Sequence, residues 1–172
     1  VLYNMRELDK AAASFAAAKA IKDHDIINNN LGAIALRNGD VAAAKEAFTA
    51  SMGAGSKVNY NLGIVSIKEG EYETALNYFG SEASYNAALA KYLSGDSDGA
   101  WRMNANLEKR GGMGYYLQAV IAAGQDKPEA ALENLKLAVE NCGDPQFIKD
   151  KAVKDLEFAK MFETAEFKAI VE

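Results

Sequence analysis

The chain reads LGAIALRNGDVAAAKEAF at residues 31–48 and LGIVSIKEGEYETALNYF at residues 62–79. Both stretches hold a Leu-Gly pair, then a second glycine, then an alanine followed four residues later by a phenylalanine, and they lie 31 residues apart. A fixed period of this length is typical of arrays of helix-turn-helix units. One such unit cannot bury its own apolar face and must stack on its neighbours. The two stretches therefore predict an elongated, all-helical repeat protein.

The rest of the chain follows the same pattern with decreasing regularity. Apolar residues recur at helical spacing, and clean alternation of apolar and polar residues is nearly absent. We expect a single domain of about four to five repeats with a terminal cap. The pattern predicts a partial first repeat over 1–22, repeats over 25–52, 56–79, 82–108 and 113–141, and capping helices over 145–172.

Glycines and acidic residues predict the turns between helices. Gly39 and Gly70 are expected in the left-handed conformation that closes a helix, and Asp40 is expected to cap the next one. Asp126 and Glu129 have the spacing of a capping box, after a turn that is two residues longer than the others. Gly32 and Gly63 are expected to leave room for a close crossing of the two helices in each hairpin.

The later repeats depart from the pattern. The fourth repeat has Ala87-Ala88 in place of Leu-Gly and Asn104 in place of phenylalanine, and we expect Trp101 to supply the missing bulk. In the fifth repeat, Tyr116-Leu117 is expected at the Leu-Gly position. A long helix is expected from Asp144-Pro145 to about Phe162, with Thr164 capping a short last one.

Composition narrows the functional classes. The formal net charge of −5 and the lack of a Lys/Arg cluster disfavour nucleic-acid binding, because phosphate contacts need a cationic face. The single cysteine, Cys142, excludes an intrachain disulfide. No apolar run approaches the roughly 20 residues of a membrane-spanning helix. Val1 begins inside a helical pattern, so we expect a fragment of a longer protein whose targeting signal lies outside it.

The residues that suggest catalysis have simpler interpretations. His24 is the only histidine and Cys142 has no second cysteine, so neither predicts a metal site or a nucleophile, and no cofactor is expected. The glycines at 111–114 lack the Gly-Lys-Ser/Thr ending of a phosphate-binding loop and are expected in a loop between hairpins. Asp155 and Glu157 are expected on a helix surface, which offers neither a cleft nor a raised pKa, so they do not predict an acid–base pair.

The frame of the two best copies resembles that of the tetratricopeptide repeat family, with Trp and Tyr of the family frame replaced by Asn28, Asn59, Ala35 and Ser66. Asp155-x-Glu157-Phe158 with Phe162 and Phe167 resembles the segment that closes some bacterial arrays. The whole pattern is similar to tetratricopeptide proteins of the Bacteroidetes cell envelope. The resemblance implies a right-handed superhelical solenoid of antiparallel helix pairs, which binds proteins and has no catalytic activity.

In such solenoids the first helices of successive hairpins line the concave face, and an asparagine precedes the Leu-Gly position in three repeats. These asparagines predict a ladder that contacts a bound peptide backbone at about every third residue. Simple solvation of the same side chains is the alternative, with about equal weight. The expected binding residues are Asn30, Asn61, Asn86, Tyr60, Tyr85, Tyr92, Tyr115, Lys57, Arg37 and Lys68.

The sequence thus favours a non-catalytic scaffold that binds a peptide or partner protein, in bacterial envelope assembly. The resemblance favours a periplasmic or outer-membrane-associated location, with a cytoplasmic one left open. An alternative of another class is an accessory domain that positions the substrate of a larger cell-envelope or glycan-processing enzyme. Self-association through the N-terminal end is a third.

Overall fold

Every regular element of the described chain is a helix. A computed structural model describes residues 5–52 and 55–172, and within that part no strand occurs, so the all-helical class is confirmed. The helices are α1 (Met5–Ile21), α2 (Asp25–Arg37), α3 (Val41–Thr49), α4 (Ser56–Glu69), α5 (Tyr72–Phe79), α6 (Tyr85–Leu93), α7 (Ser97–Ala105), α8 (Gly111–Gly124), α9 (Pro128–Glu140), α10 (Pro145–Ala152), a 3-10 helix (Leu156–Met161) and α11 (Ala165–Val171).

The chain divides into two compact units, an N-terminal unit of residues 1–81 and a C-terminal unit of residues 82–172. In the N-terminal unit, α2 packs on α3 and α4 packs on α5, while α1 packs on α2 and α3 on α4. In the C-terminal unit, α6 packs on α7 and α8 packs on α9, and α9 carries α10 and α11. Sequential packing of helix pairs is therefore confirmed within each unit.

The two first-helix glycines of the N-terminal unit lie under phenylalanine rings, as predicted. A Cβ atom on Gly32 would lie 2.7 Å from the ring of Phe48, and one on Gly63 would lie 2.5 Å from the ring of Phe79. Both rings are buried. Each hairpin therefore closes on a contact that only glycine permits without displacement of the ring.

The hairpin turns of the N-terminal unit also follow the prediction. Gly39 and Gly70 have φ angles of +83° and +79°. The carboxylate of Asp40 accepts a hydrogen bond of 3.0 Å from the backbone N–H of Ala43 and so caps α3. Glu71 precedes α5 in the same way, but its side chain makes no capping hydrogen bond.

The predicted turn of the fifth repeat is wrong by two residues. Asp126, with φ +58°, holds the left-handed place that glycine holds in the earlier turns, and Lys127 is the N-cap of α9 without a side-chain capping bond. The capping box of Asp126 and Glu129 is therefore absent. With Asp126 as the counterpart of Gly70, the turn has the ordinary length and Gln118-Ala119, not Tyr116-Leu117, stands at the Leu-Gly position.

The glycine-rich stretch after Arg110 is helical and not the predicted loop. Helix α8 begins at Gly111, whose φ is +59°. A Cβ atom on Gly112 would lie 2.7 Å from the Cβ of Cys142 and 2.8 Å from the carbonyl oxygen of Ala138. Gly112 therefore lets the start of α8 lie against the end of α9.

In the fourth repeat, Trp101 supplies part of the bulk of the missing phenylalanine, as expected. Trp101 is half-buried and packs against the apolar core of the C-terminal unit. Asn104 is fully buried at the former phenylalanine position and donates a hydrogen bond of 2.7 Å to the carbonyl oxygen of Gly114 on α8. An amide in this position therefore ties α7 to the next hairpin.

The long helix expected between Asp144 and Phe162 is interrupted. Helix α10 ends at Ala152, and a 3-10 helix begins at Leu156. The interruption places Phe158 in the core, with its ring centroid 5.8 Å from that of Tyr116 and 5.9 Å from that of Phe167. Thr164 caps α11 through a bond from the N–H of Phe167, as predicted. The segment after α9 thus packs on α8 and α9 along a different path from the predicted long helix, and its role as a terminal cap stays a prediction.

None of the described helices combines the length and the apolarity that crossing a membrane would require.

Candidate functional site

An asparagine pair connects the first helices of the two N-terminal hairpins. The side-chain Nδ2 of Asn61 on α4 donates a hydrogen bond of 3.0 Å to Oδ1 of Asn29 on α2. Both residues are half-buried. The sequence analysis expected a ligand contact at Asn61 and overlooked Asn29, whose only signal was its position beside Asn30.

This contact orients both amides. An asparagine has two N–H donors and one carbonyl acceptor in its side chain. In this pair, Asn61 uses one of its two Nδ2 N–H groups and Asn29 uses its Oδ1. The bond fixes the rotation of both amide groups on neighbouring first helices.

The other two asparagines of the predicted ladder have different surroundings. Asn30 lies on α2 beside α1 and lines a groove there. Asn86 lies in the first turn of α6, in the C-terminal unit, and is half-buried. The ladder of Asn30, Asn61 and Asn86 stays a prediction.

The predicted tyrosines have structural contacts of their own. The ring of Tyr60 lies 5.4 Å from that of Phe79, and the guanidinium of Arg110 lies 4.8 Å above the ring of Tyr115. Burial raises the pKa of Tyr85 and, together with nearby Glu157 and Asp155, that of Tyr92. Half-buried rings of this kind can support a binding face, but each also packs against other residues of the fold.

The predicted cationic residues, Arg37, Lys57 and Lys68, are exposed.

A groove of about 130 Å³ runs between α1 and α2. Its apolar lining comes from the side chains of Leu8, Phe15, Ala33 and Ile34, and its polar lining from Asn30 and Arg37. Two of the predicted binding residues therefore border an apolar groove that the sequence analysis did not anticipate.

A polar cluster connects the segment after α9 to α8, and it consists of Tyr116, Lys151, Asp155 and Glu157. The Tyr116 hydroxyl donates a hydrogen bond of 2.8 Å to Oδ2 of Asp155, and the Lys151 ammonium lies 3.4 Å from the same oxygen. The carboxyl group of Glu157 interacts with that of Asp155, so the pKa of each depends on the other. The spacing of Lys151 and Asp155, four residues apart, was the one sequence signal of this cluster.

The pKa values of the two carboxyl groups in the cluster are shifted in opposite directions. The hydrogen bond with Asp155, together with burial, raises the pKa of Glu157. Burial also acts to raise the pKa of Asp155, but the bonds from Glu157 and Tyr116 and the charge of Lys151 outweigh it and lower that pKa. The expectation that this pair has no raised pKa is therefore wrong, because the 3-10 helix brings both carboxyl groups together against α8. The carboxyl group of Asp155 therefore ionises at a lower pH than that of Glu157.

The remaining chemical candidates have structural roles. Nδ1 of His24 accepts a hydrogen bond of 3.2 Å from the N–H of Ile26 and caps α2. Cys142 is half-buried and faces Gly112. Over residues 5–52 and 55–172, no three His, Cys, Asp or Glu side chains are grouped so that they could hold a metal ion.

No family model, curated protein or solved structure matches the chain.

Proposed function

We propose that the chain is a non-catalytic scaffold that binds a peptide or partner protein through the first helices of its hairpins. The observation that supports this proposal is the hydrogen bond between Asn61 and Asn29, since it fixes the orientation of two amide groups on neighbouring first helices. Two amides held in this way can recognise an extended backbone without reading its side chains.

The finer parts of the proposal rest on the repeat pattern. They are a right-handed solenoid of the tetratricopeptide type, a binding role for Asn30 and Asn86 beside Asn61, and a place in bacterial envelope assembly. The half-buried state of all three asparagines supports a binding role, because such side chains lose little conformational freedom when a ligand arrives.

A peptide library tests this proposal. We would select phage-displayed peptides on the wild-type chain and measure their affinity for a variant with Asn30, Asn61 and Asn86 changed to alanine. A neutral hydrogen bond contributes about 1 kcal/mol, so the triple change is expected to weaken binding by about 10²-fold. A variant with the exposed Asn38, Asn59 and Asn77 changed to alanine is the matched control.

Equal affinity of the selected peptides for both triple variants would refute the role of the asparagines. A selection that enriches no peptide above background would refute peptide binding itself. Thermal unfolding of both variants checks that any loss of affinity is not a loss of fold.

A further inference from the structure

Four side chains form a stripe along the exposed side of α4. They follow one another at intervals of four, three and four residues, which places them on one face of the helix. The two outer members are exposed and the two inner ones are half-buried. The opposite face of the same helix is turned to the core, where Leu62 and Ser66 are buried. The α4 stripe consists of Lys57, Asn61, Ile64 and Lys68.

The two ammonium groups of the α4 stripe have no carboxylate partner among the residues that the structure describes. The ion pairs of that part of the chain engage other lysines, namely Lys45, Lys91, Lys136, Lys151, Lys160 and Lys168. Glu69, the acid that follows Lys68, is turned to α3, where its Oε2 lies 2.8 Å from Nζ of Lys45. Lys57 and Lys68 therefore present uncompensated positive charge.

Charge is segregated between the two sets of helices in the N-terminal unit. The first helices, α2 and α4, carry three cationic side chains and two acidic ones, whereas α3, α5 and their N-caps carry one cationic and four acidic side chains. The chain as a whole has a formal net charge of −5. An anionic partner is therefore attracted to α2 and α4 more than to α3 and α5.

We propose that the α4 stripe binds an acidic peptide segment of a partner protein. Lys57 and Lys68 are eleven residues apart, which is about 16 Å along a helix, and an extended peptide covers that distance in about five residues. The segment therefore carries two carboxylate side chains about five residues apart, one for each ammonium group. An apolar side chain between them packs on Ile64. This inference rests on the protein-binding function proposed above and specifies the chemistry of the partner.

The middle of the α4 stripe favours a peptide over other polyanions. Asn61 is held by its hydrogen bond to Asn29 and lies between the two cations, where a peptide backbone offers N–H and C=O groups to an amide. Nucleic acids and anionic membranes are bound through clusters of several cations, because each cation neutralises one phosphate or headgroup. The α4 stripe instead separates two cations by a half-buried amide and a half-buried apolar side chain. It therefore matches a peptide with spaced charges.

Peptide selection on charge variants tests this inference. We would pan the phage-displayed library at low ionic strength on the wild-type chain, on Lys57→Gln/Lys68→Gln and on Lys10→Gln/Lys19→Gln. The last variant is the matched control, because it removes the same charge from two exposed lysines of α1. We expect peptides from the wild type and the control to be enriched in aspartate and glutamate, in pairs about five residues apart. This enrichment is expected to disappear on Lys57→Gln/Lys68→Gln.

Affinities then measure the charge contacts. The tightest acidic peptide and a copy with its two acidic residues changed to their amides are labelled, and binding is followed by fluorescence anisotropy. Loss of two exposed ion pairs is expected to weaken binding to the wild type about three- to tenfold at low salt, and by less at about 0.5 M salt. The two peptides are expected to bind Lys57→Gln/Lys68→Gln equally, because the lysines that distinguish them are gone. Thermal unfolding of each variant confirms the fold.

Other outcomes would overturn the inference. Selected peptides without acidic enrichment, or equal affinity of the wild type for the acidic and amide peptides, would remove the charge contacts. Acidic enrichment that persists on Lys57→Gln/Lys68→Gln would place the binding elsewhere. Lysine-dependent binding to phosphatidylserine vesicles, when no acidic peptide is selected, would assign the α4 stripe to a membrane surface. Library peptides that depend on the asparagines but on neither lysine would leave the proposed function intact and remove this inference alone.

Discussion

The glycines of the first helices and the aromatic rings of the second helices form size-matched pairs. Where the first helix has glycine at the crossing, the second has phenylalanine, and where the first has alanine, the second has a smaller side chain. The four frame pairs are Gly32 with Phe48, Gly63 with Phe79, Ala88 with Asn104, and Ala119 with Leu135. A methyl group and a ring would compete for one volume, since a Cβ on Gly63 would lie 2.5 Å from the Phe79 ring.

This pairing predicts the effect of a single methyl group. Gly63→Ala is expected to lower the free energy of unfolding by roughly 1–3 kcal/mol, because overpacking at the ring outweighs the gain of about 1 kcal/mol in helix propensity. Urea unfolding followed by circular dichroism measures the change. Gly124→Ala is the control, because a Cβ there has only the Tyr92 hydroxyl at 3.7 Å.

A double variant identifies the cause. If the ring is responsible, Gly63→Ala combined with Phe79→Leu destabilises the chain by clearly less than the sum of the two single changes. Additive losses would show that the ring of Phe79 does not limit this position.

At the scale of helices, the turn residues that recur in each repeat were predicted correctly from the sequence. The helix ends that depend on tertiary contacts were not. Gly39 and Asp40 were assigned correctly because a left-handed glycine and a capping aspartate act within a few residues. The end of α10 was missed because apolar residues keep helical spacing from Ile148 to Met161. Packing of Phe158 against Tyr116 and Phe167 overrides that local pattern.

The candidate site was also predicted only in part from the sequence. The repeat frame located Asn61, but its bond to Asn29 depends on the rotation of α2 about its own axis, which no spacing in the sequence specifies. The position of Asp126 in the turn was missed for a related reason. An aspartate held at φ +58° and paired with Lys160, 34 residues away, gives no local sign that it replaces a glycine.

Within the polar cluster, the pKa shifts of Asp155 and Glu157 predict that the chain is most stable in the acidic range. The pKa of Glu157 is raised on folding, so its contribution is present below the ordinary value of 4.5 and is lost as the pH rises through the folded value. The pKa of Asp155 is lowered, so its contribution is lost as the pH falls below 3.8. Stability from this pair is therefore greatest in the acidic range, above the pH at which the Asp155 contribution is lost and below the pH at which the Glu157 contribution is lost.

Glu157→Gln separates the two carboxyl groups. An amide keeps a hydrogen-bond donor for Asp155 at every pH, so the variant is expected to gain stability relative to wild type as the pH rises above 4.5. Melting temperatures of both proteins between about pH 4 and pH 8 measure the difference, because this range extends upward from the ordinary pKa of a glutamate. Parallel curves over the whole range would contradict a raised pKa of Glu157 in the folded chain.

At the scale of the whole molecule, the C-terminal unit contains its own apolar cores. One buried cluster is formed by α8, α9, α10, the 3-10 helix and α11, and a second is formed by α6, α7 and α8. All of their members lie within residues 82–172. The sequence analysis predicted a single domain because one repeat frame runs through both units, and that frame does not reveal how the buried contacts are distributed.

The distribution of the cores predicts that residues 82–172 fold alone. Expressed by itself, this segment is expected to keep a helical circular dichroism spectrum and a cooperative thermal transition. Phe158→Ala in the segment is expected to lower the free energy of unfolding by about 3–5 kcal/mol, because it empties a fully buried site. Phe147→Ala, at a ring that is half exposed, is expected to cost less than about 1 kcal/mol. A segment that is unfolded in isolation would show instead that the predicted single domain is the unit of folding.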